Sequence, residues 1–526
     1  MNRSLCNKCK GLVPVQRAER DGKVYLVKDC PTCGVTETLV SSDAARHMGK
    51  RHLDQGLDVK PCAALHCDKC NHHRKPRYAF VDVTNRCNLN CPMCADSVPG
   101  HGFTFDPPLE HFKRIFDHLA TFDPLPTVAL FGGEPTVRND LPEIVKLARS
   151  YGFETRVLTN GIRLADAEYC DRLVQAKPHL LMSYDGCKPS TYAELRKNEK
   201  ALGKKHKAIE NLNNNPKSKV SYVTCLAWGL NDKELPEMLK FFHGQRAILE
   251  GVYLMPLVQT WDSAEFKLAP ERMTTEDVER FLADCFPDYN VQFISLGLAS
   301  HFQAVAKVLG QPPLPYFGGH PNCESFYLLV SNGERYLPID HYLKRTLPEF
   351  MEVLLALEKR LLAREERWKT SLFGRFLGAI GLRNFLYRLT GKLSLFRTIL
   401  REVRMARIFK GTGLANIGHR IMATLEFMVR CRSRKVRDRH LLFHQMLKVI
   451  ILPLEDDPIL ETERLERCPS SHVVFVPETG EFKYVPVCSW RMFNKAMLKD
   501  MTDHYAAQKP EPAPAEAAPA PRAHKT

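Results

Sequence analysis

Cys87, Cys91 and Cys94 stand in the order CxxxCxxC directly after the strand-like run Tyr78 to Val83. Three thiolates are one short of the four that close a structural zinc or iron–sulfur site. A four-iron cubane held by three thiolates keeps one iron open to a ligand that can react, so this spacing points to a cluster that does chemistry. A zinc or disulfide site is the competing reading, and it leaves the polar loops that follow without a role.

Those loops fall at successive strand ends. Gly132-Gly133-Glu134-Pro135 follows the apolar run Val128 to Phe131, Thr159-Asn160-Gly161 ends the next run, and Ser183-Tyr184-Asp185-Gly186 the one after. Paired glycines permit close backbone approach, and a carboxylate suits an ammonium group. With the triad, this set resembles the radical S-adenosylmethionine (SAM) superfamily. The resemblance implies that Cys87, Cys91 and Cys94 hold a catalytic [4Fe-4S] cluster and that Gly132, Gly133 and Glu134 take the methionyl amino group of SAM. It also implies that Thr159, Asn160, Ser183 and Asp185 reach the SAM ribose and carboxylate. Met93 departs from the aromatic residue often found before the last cysteine of the family. The chemistry so implied is a 5′-deoxyadenosyl radical that abstracts hydrogen from an unactivated carbon, with electrons from a donor such as ferredoxin or flavodoxin.

The elements that must position these residues alternate. Strand-like runs at Tyr78 to Val83, Thr127 to Phe131, Glu154 to Thr159, His179 to Tyr184, Lys219 to Leu226 and Gly251 to Pro256 are separated by helical patterns such as Leu109 to Ala120, Asp140 to Tyr151, Asp166 to Ala176 and Lys233 to His243. Alternation of this kind predicts an α/β fold with a parallel sheet. The expectation is a partial (β/α)6, TIM-like radical SAM barrel with its chemistry at the carboxyl ends of the strands.

Further cysteines lie on both sides of this core. Cys6-x-x-Cys9 and Cys30-x-x-Cys33 flank a hairpin-like stretch, Arg20-Asp21-Gly22-Lys23, and can close a rubredoxin-like S4 site for iron or zinc. Cys62, Cys67 and Cys70 can bind three corners of another cluster, with Cys323, Cys468 or Cys488 in loops flanking strand-like runs as candidates for the rest. One or two auxiliary [4Fe-4S] clusters are therefore expected. His66, His72 and His73 read as solvated, and Cys170, Cys187, Cys225, Cys285 and Cys431 as buried or incidental thiols.

This layout of knuckle, short cysteine cluster, triad and C-terminal cysteines resembles the tetraether lipid synthases and their bacterial relatives proposed to make membrane-spanning lipids. That resemblance implies a lipid substrate whose alkyl chains are joined by a carbon–carbon bond. Radical SAM methylation of a pterin, or peptide modification, is the alternative. A peptide maturase would be expected to carry a small winged leader-binding domain, which the N-terminal residues do not resemble.

From Arg367 to His440 there are 18 Lys or Arg against 3 Asp or Glu, a net +15 equal to that of the whole chain. All of the excess charge thus sits in one segment. Its apolar residues recur at helical spacing (Phe373, Phe376, Leu377, Ile380, then Phe385, Leu386, Leu389, Leu393, Phe396, Ile399, Leu400 and Val403), broken by Gly374, Gly378, Gly381 and Gly391. Such a helix suits an anionic membrane surface, although the stripe could instead pack on the barrel. Nucleic acid is not expected as a partner, because groups that read bases are sparse.

The 526 residues exceed a single core at the usual domain size of about 100–200 residues. The reading divides them into a knuckle at 1–45, a cysteine-rich segment at 46–76 and a radical SAM core at 77–300. An auxiliary-cluster region follows at 301–345 and 451–503, interrupted by a basic helical insertion at 346–450, and a Pro/Ala-rich tail at 504–526 is expected to be disordered. Eighteen cysteines without an apolar leader-like run predict a reducing compartment. No run of about 18 apolar residues occurs, so the expected location is cytoplasmic and peripheral on the inner membrane face.

Overall fold

The computed structural model describes residues 2–54, 75–94, 96, 100–260, 265–267, 270–311, 319–410, 426, 434–442 and 445–507. The expectations for Cys62, Cys67, Cys70, His66, His72, His73, Cys431 and the tail beyond Ala507 lie outside these residues, while residues 504–507, drawn as the start of that disordered tail, end the last helix.

β1 (Arg3–Leu5), β2 (Leu12–Arg20), β3 (Lys23–Cys30) and β4 (Gly34–Ser41) form an antiparallel sheet in chain order. Asp21 and Gly22, at φ 49° and 70°, supply the left-handed pair that a two-residue hairpin needs. Helix α1 (Ala44–His52) follows, capped by the Asp43 carboxylate, which accepts from the Arg46 amide at 3.0 Å.

The core then alternates as expected. β5 (Tyr78–Thr84), β6 (Thr127–Gly132), β7 (Thr155–Thr159), β8 (His179–Ser183), β9 (Val220–Leu226) and β10 (Leu249–Pro256) are parallel neighbours in that order. Their crossovers are α2 (Leu109–Leu119), α3 (Leu141–Ser150), α4 (Ala167–Gln175), α5 (Pro189–Arg196) with α6 (Ala201–Asn213), and α7 (Leu235–Gly244). Alternate residues of β5 divide the work of its two faces. Ala79, Val81 and Val83 join Phe112, Ile115 and Phe116 of α2 in the main core, which turns Phe80 and Asp82 into the barrel.

After the core come α8 (Thr275–Asp284), β11 (Ile294–Ser295), α9 (Gln303–Leu309), β12 (Ser325–Ser331) and β13 (Tyr336–Pro338). Then follow α10 (Leu347–Thr370), α11 (Leu372–Ala379), α12 (Arg383–Glu402), β14 (Gln445–Ile451), β15 (Ser470–Val476), β16 (Glu481–Pro486) and a final helix, Val487–Ala507. β14 pairs parallel with β10, and β15 parallel with β5. The six parallel strands are therefore continued to eight, in the order β14-β10-β9-β8-β7-β6-β5-β15, with antiparallel β12 beside β14 and β16 beside β15.

Three details differ from the sequence reading. The basic insertion was drawn to residue 450, but β14 begins at Gln445 and is a strand of the sheet. Cys488 is the second residue of the final helix rather than part of a loop. Of the glycines expected to break the helix, Gly374 and Gly378 lie inside α11 and Gly391 inside α12, and only Gly381 falls between the two; a Cβ on Gly391 would lie 2.4 Å from a Val308 methyl of α9, so that glycine permits close helix packing. Across that contact Tyr387 and Leu395 share a small core with Ala304, Val308, Leu357 and Leu361. One apolar stripe of the basic segment thus packs on protein. Among the described residues no helix is long and apolar enough to cross a membrane.

Candidate active site and metal centres

Cys87, Cys91 and Cys94 lie on the loop leaving β5, and the Cys94 amide donates to the Cys91 carbonyl at 3.2 Å. Cys87 is exposed on this loop, and partial desolvation by the surrounding protein, with Glu134, Cys91 and Cys94 close by, raises its thiol pKa. Three thiols with one shared electrostatic environment are a donor set that fits the three-thiolate cluster.

Gly132 and Gly133 clamp this loop. The Gly133 amide donates to the Thr84 carbonyl and the Glu134 amide to the Arg86 carbonyl, each at 2.8 Å. Gly132 sits at φ +117°, and a Cβ there would fall 2.2 Å from the Thr84 oxygen; one on Gly133 would fall 2.3 Å from the Arg86 oxygen. The close approach expected of these glycines is therefore made to the backbone just before Cys87.

The Glu134 carboxylate is buried and braces β6 to β7. One oxygen accepts from the Thr136 amide at 3.0 Å, the Thr136 hydroxyl at 2.5 Å and the Thr159 hydroxyl at 2.7 Å, and the other from the Asn160 amide at 2.6 Å. Asn160 reaches back to the cysteine loop, its side-chain amide donating to Asn88 Oδ1 at 2.6 Å. The first three predicted loops are thus joined by hydrogen bonds.

Ser183 and Asp185 are tied in by two cations that spacing alone did not single out. Lys205 of α6, fully buried, donates to the Asn160 carbonyl, the Ser183 carbonyl at 2.6 Å and the Ser183 hydroxyl at 2.8 Å. Burial lowers its pKa to about 7. Arg196 of α5 makes a two-pronged pair with Asp185, both contacts 2.9 Å, and its Nη1 lies 3.7 Å from Cys91 Sγ. Burial alone would raise the Asp185 carboxyl, but the charge and hydrogen bonds of Arg196, with Lys205 and the Cys225 amide, together outweigh it and the pKa falls. Each cation is on a helix downstream of the SYDG loop, among many other basic residues, so only the fold marks it out.

The N-terminal thiols converge: the sulfurs of Cys6, Cys9, Cys30 and Cys33 all lie within 4.8 Å of one another, Cys9 and Cys30 at 3.7 Å. Four sulfurs about 2.3 Å from one ion would be separated by roughly 3.8 Å, so the set fits a tetrahedral metal. Backbone amides of Cys9 and Lys8 directed at the Cys6 sulfur lower its pKa to about 6.

Cys323, Cys468 and Cys488 are also drawn together, from before β12, before β15 and after β16. Burial pushes Cys323 up to about 11 and Cys468 to about 12, and burial, then the charges of Glu455, Cys468 and Cys323, raise Cys488 well above the ordinary thiol. Glu455 and Arg464 share this pocket, 2.9 Å apart. Arg464 also reaches the Cys323 sulfur, and burial raises the Glu455 carboxyl to about 8.

Inside the barrel Phe80, Phe131 and His472 pack edge to face or tilted, with ring centroids 5.3–5.6 Å apart. His472 Nδ1 lies 2.6 Å from Asp82 Oδ2 and its ring stacks on Trp490. Arg156 donates to the Tyr253 hydroxyl at 3.3 Å across the same interior.

A parallel barrel with a three-cysteine loop and strand-end polar loops defines a radical SAM enzyme. Residues 81–242 match the Radical SAM superfamily model; this segment is a radical SAM domain, and the cofactors of that superfamily are a [4Fe-4S] cluster and SAM. Residues 2–42 match the HMPTM N-terminal zinc ribbon domain. The 7,8-dihydro-6-hydroxymethylpterin dimethyltransferase of Methanocaldococcus jannaschii is 29% identical over 355 residues, 65% of this chain and 70% of that protein. The GTP 3′,8-cyclase of Nautilia profundicola is 30% identical over 191 residues, 35% of this chain and 57% of that protein. SuiB of Streptococcus suis, solved with SAM bound, aligns with 13% identity over 54% of this chain and 69% of that chain, at a TM-score of 0.34. The ribbon-plus-barrel layout, expected to accompany lipid coupling, is thus matched by a protein named for methylating a pterin.

Proposed function

We propose that this radical SAM enzyme alkylates a pterin-like ring. The observation that carries the reading is the barrel interior: Phe80, Phe131 and Tyr253 offer flat apolar faces, while Asp82, Arg156 and His472 offer hydrogen bonds. That mixture of ring faces and polar groups suits a planar, hydrogen-bonding heterocycle better than an alkyl chain, which has no polar atoms to offer. The two relatives act, by name, on a pterin and on GTP, both fused nitrogen heterocycles.

When bound at Cys87, Cys91 and Cys94, the cluster with SAM supplies a carbon-centred radical able to remove hydrogen from the substrate. The chain's own residues place and protect. Gly132 and Gly133 hold the cysteine loop against β6, Glu134 and Lys205 lock the ends of β6, β7 and β8 together, and Arg196 presents a guanidinium N–H to the Cys91 sulfur. The aromatic lining excludes water from a site where a radical must meet only its substrate. Cys323, Cys468 and Cys488, beside the Glu455–Arg464 ion pair, hold an auxiliary iron–sulfur cluster in this reading. Cys468→Ala is expected to remove about four irons per chain.

Anaerobically reconstituted protein with SAM, a low-potential reductant and a separate one-carbon donor should form 5′-deoxyadenosine and add one or two methyl groups to 6-hydroxymethyl-7,8-dihydropterin, read by mass spectrometry. Coupled alkyl chains in the lipids of an expressing host, with an untouched pterin, would replace this reading by lipid coupling. One observation favours that second reading, the exposed apolar side chains Phe373, Phe376 and Phe385 on the basic segment.

A further inference from the structure

Of the seventeen large apolar side chains exposed among the described residues, nine lie between Leu362 and Leu393. Leu372 is 84% exposed, Phe373 66%, Phe385 63% and Phe376 60%, and these are the only exposed phenylalanines among the described residues. A cluster of this kind marks a surface made to meet something apolar.

α12 shows the arrangement most plainly, because it has two apolar stripes. Tyr387, Gly391 and Leu395, four residues apart, face α9 and are buried. Phe385, Leu389 and Leu393, also four apart, are exposed. Packing on the barrel accounts for the first stripe and leaves the second uncovered.

The surroundings identify what covers it. From Arg367 to Lys410 the chain carries 11 Lys or Arg and a single acid, Glu402, with Arg367, Lys369, Arg375, Arg388 and Arg397 exposed around the phenylalanines. Between α10 and α12 an open groove of about 640 Å³ is lined by Arg364, Arg367, Trp368 and Leu393, two guanidiniums beside an indole and an aliphatic side chain. Two copies of this face would repel each other. Nucleic acid would satisfy the arginines but leave the phenylalanines and leucines in water.

We propose that α11, α12 and the groove beside α10 dock on the anionic surface of a lipid bilayer, with the phenylalanines at the depth of the acyl-chain boundary and the arginines on headgroup phosphates. The surface is separate from the barrel, so the proposal holds whichever substrate the radical attacks.

Full-length protein is tested by flotation with vesicles of phosphatidylcholine alone and of phosphatidylcholine with phosphatidylglycerol in equal parts. Binding should appear with the anionic vesicles, weaken as salt is raised, and fall at least about tenfold in the triple variant Phe373→Ser, Phe376→Ser, Phe385→Ser. The variant should keep its ribbon metal and its 5′-deoxyadenosine formation, showing that it is folded. A wild-type protein that floats with neither vesicle, or a triple variant that floats as well as wild type, overturns the proposal. So does a wild-type dimer in sedimentation velocity that the triple variant dissolves, which would make the face a contact between copies.

Discussion

At Gly133 a side chain has nowhere to go, since a Cβ would stand 2.3 Å from the Arg86 carbonyl oxygen on the loop that carries Cys87. Gly133→Ala should destabilise the fold by about 1–3 kcal/mol in denaturant titration and cut 5′-deoxyadenosine formation roughly 100-fold, because the cysteine loop is displaced from β6. Lys205 has a different signature. Its pKa falls from 10.5 to about 7 on folding, because burial disfavours the charged form. Between those values the unfolded chain binds the extra proton, so this group makes stability rise with pH from about 7 to 10.5, and its burial costs most below pH 7. The span corresponds to roughly 5 kcal/mol. In Lys205→Met the rise should vanish, measured as unfolding free energy in urea at pH 7 and pH 9.5. A similar slope in both proteins would mean that Lys205 is not the group responsible.

The elements were legible because their signals are local. The six core strands and the four helical patterns match their sequence ranges to within about two residues, since burial of one face imposes its period on the nearest neighbours in the chain. The ribbon was equally plain, because two CxxC pairs and a hairpin turn between them are a complete short-range instruction. Cys30 is buried in the ribbon core beside Cys6 and Val13. Cys30→Ser should therefore lose the ribbon metal, about one ion per chain, and lower the thermal midpoint. The irons of the core cluster and of the auxiliary cluster should remain, as metal analysis and iron counts will show. β14 and β15 were missed as barrel strands for the opposite reason. Their partners β10 and β5 are some hundreds of residues away in the chain, and no local pattern names a partner at that distance.

Across the whole molecule the C-terminal residues close the structure around the N-terminal ones. Lys28 of the ribbon is fully buried and donates to the carbonyls of Leu5 at 2.7 Å and Pro458 at 2.6 Å. Arg17 pairs with Glu461 and with Glu463, the latter at 3.1 Å. Glu461 is buried, so Arg17→Met would leave a carboxylate without its main partner. A loss of about 3 kcal/mol is expected, much of it recovered in the double variant Arg17→Met, Glu461→Gln, as a double-mutant cycle in urea would measure. Recovery identifies the charge pair, rather than packing of the Arg17 stem, as the tie between ribbon and C-terminal segment.

The sequence by itself determined the chemistry: three cysteines at fixed spacing, paired glycines and polar strand ends specify a radical SAM core because each function needs its residue type within a few positions. The tertiary structure alone decided which distant groups serve that core. Arg196 beside Cys91, Lys205 beneath Ser183, and Cys323, Cys468 and Cys488 around Glu455 are assembled by strand pairing between remote segments. It also separated the two apolar stripes of α12, identical in period, into one that is buried and one that is exposed. Periodicity says that a helix has an apolar face, and only the packing of the whole chain says whether that face is covered.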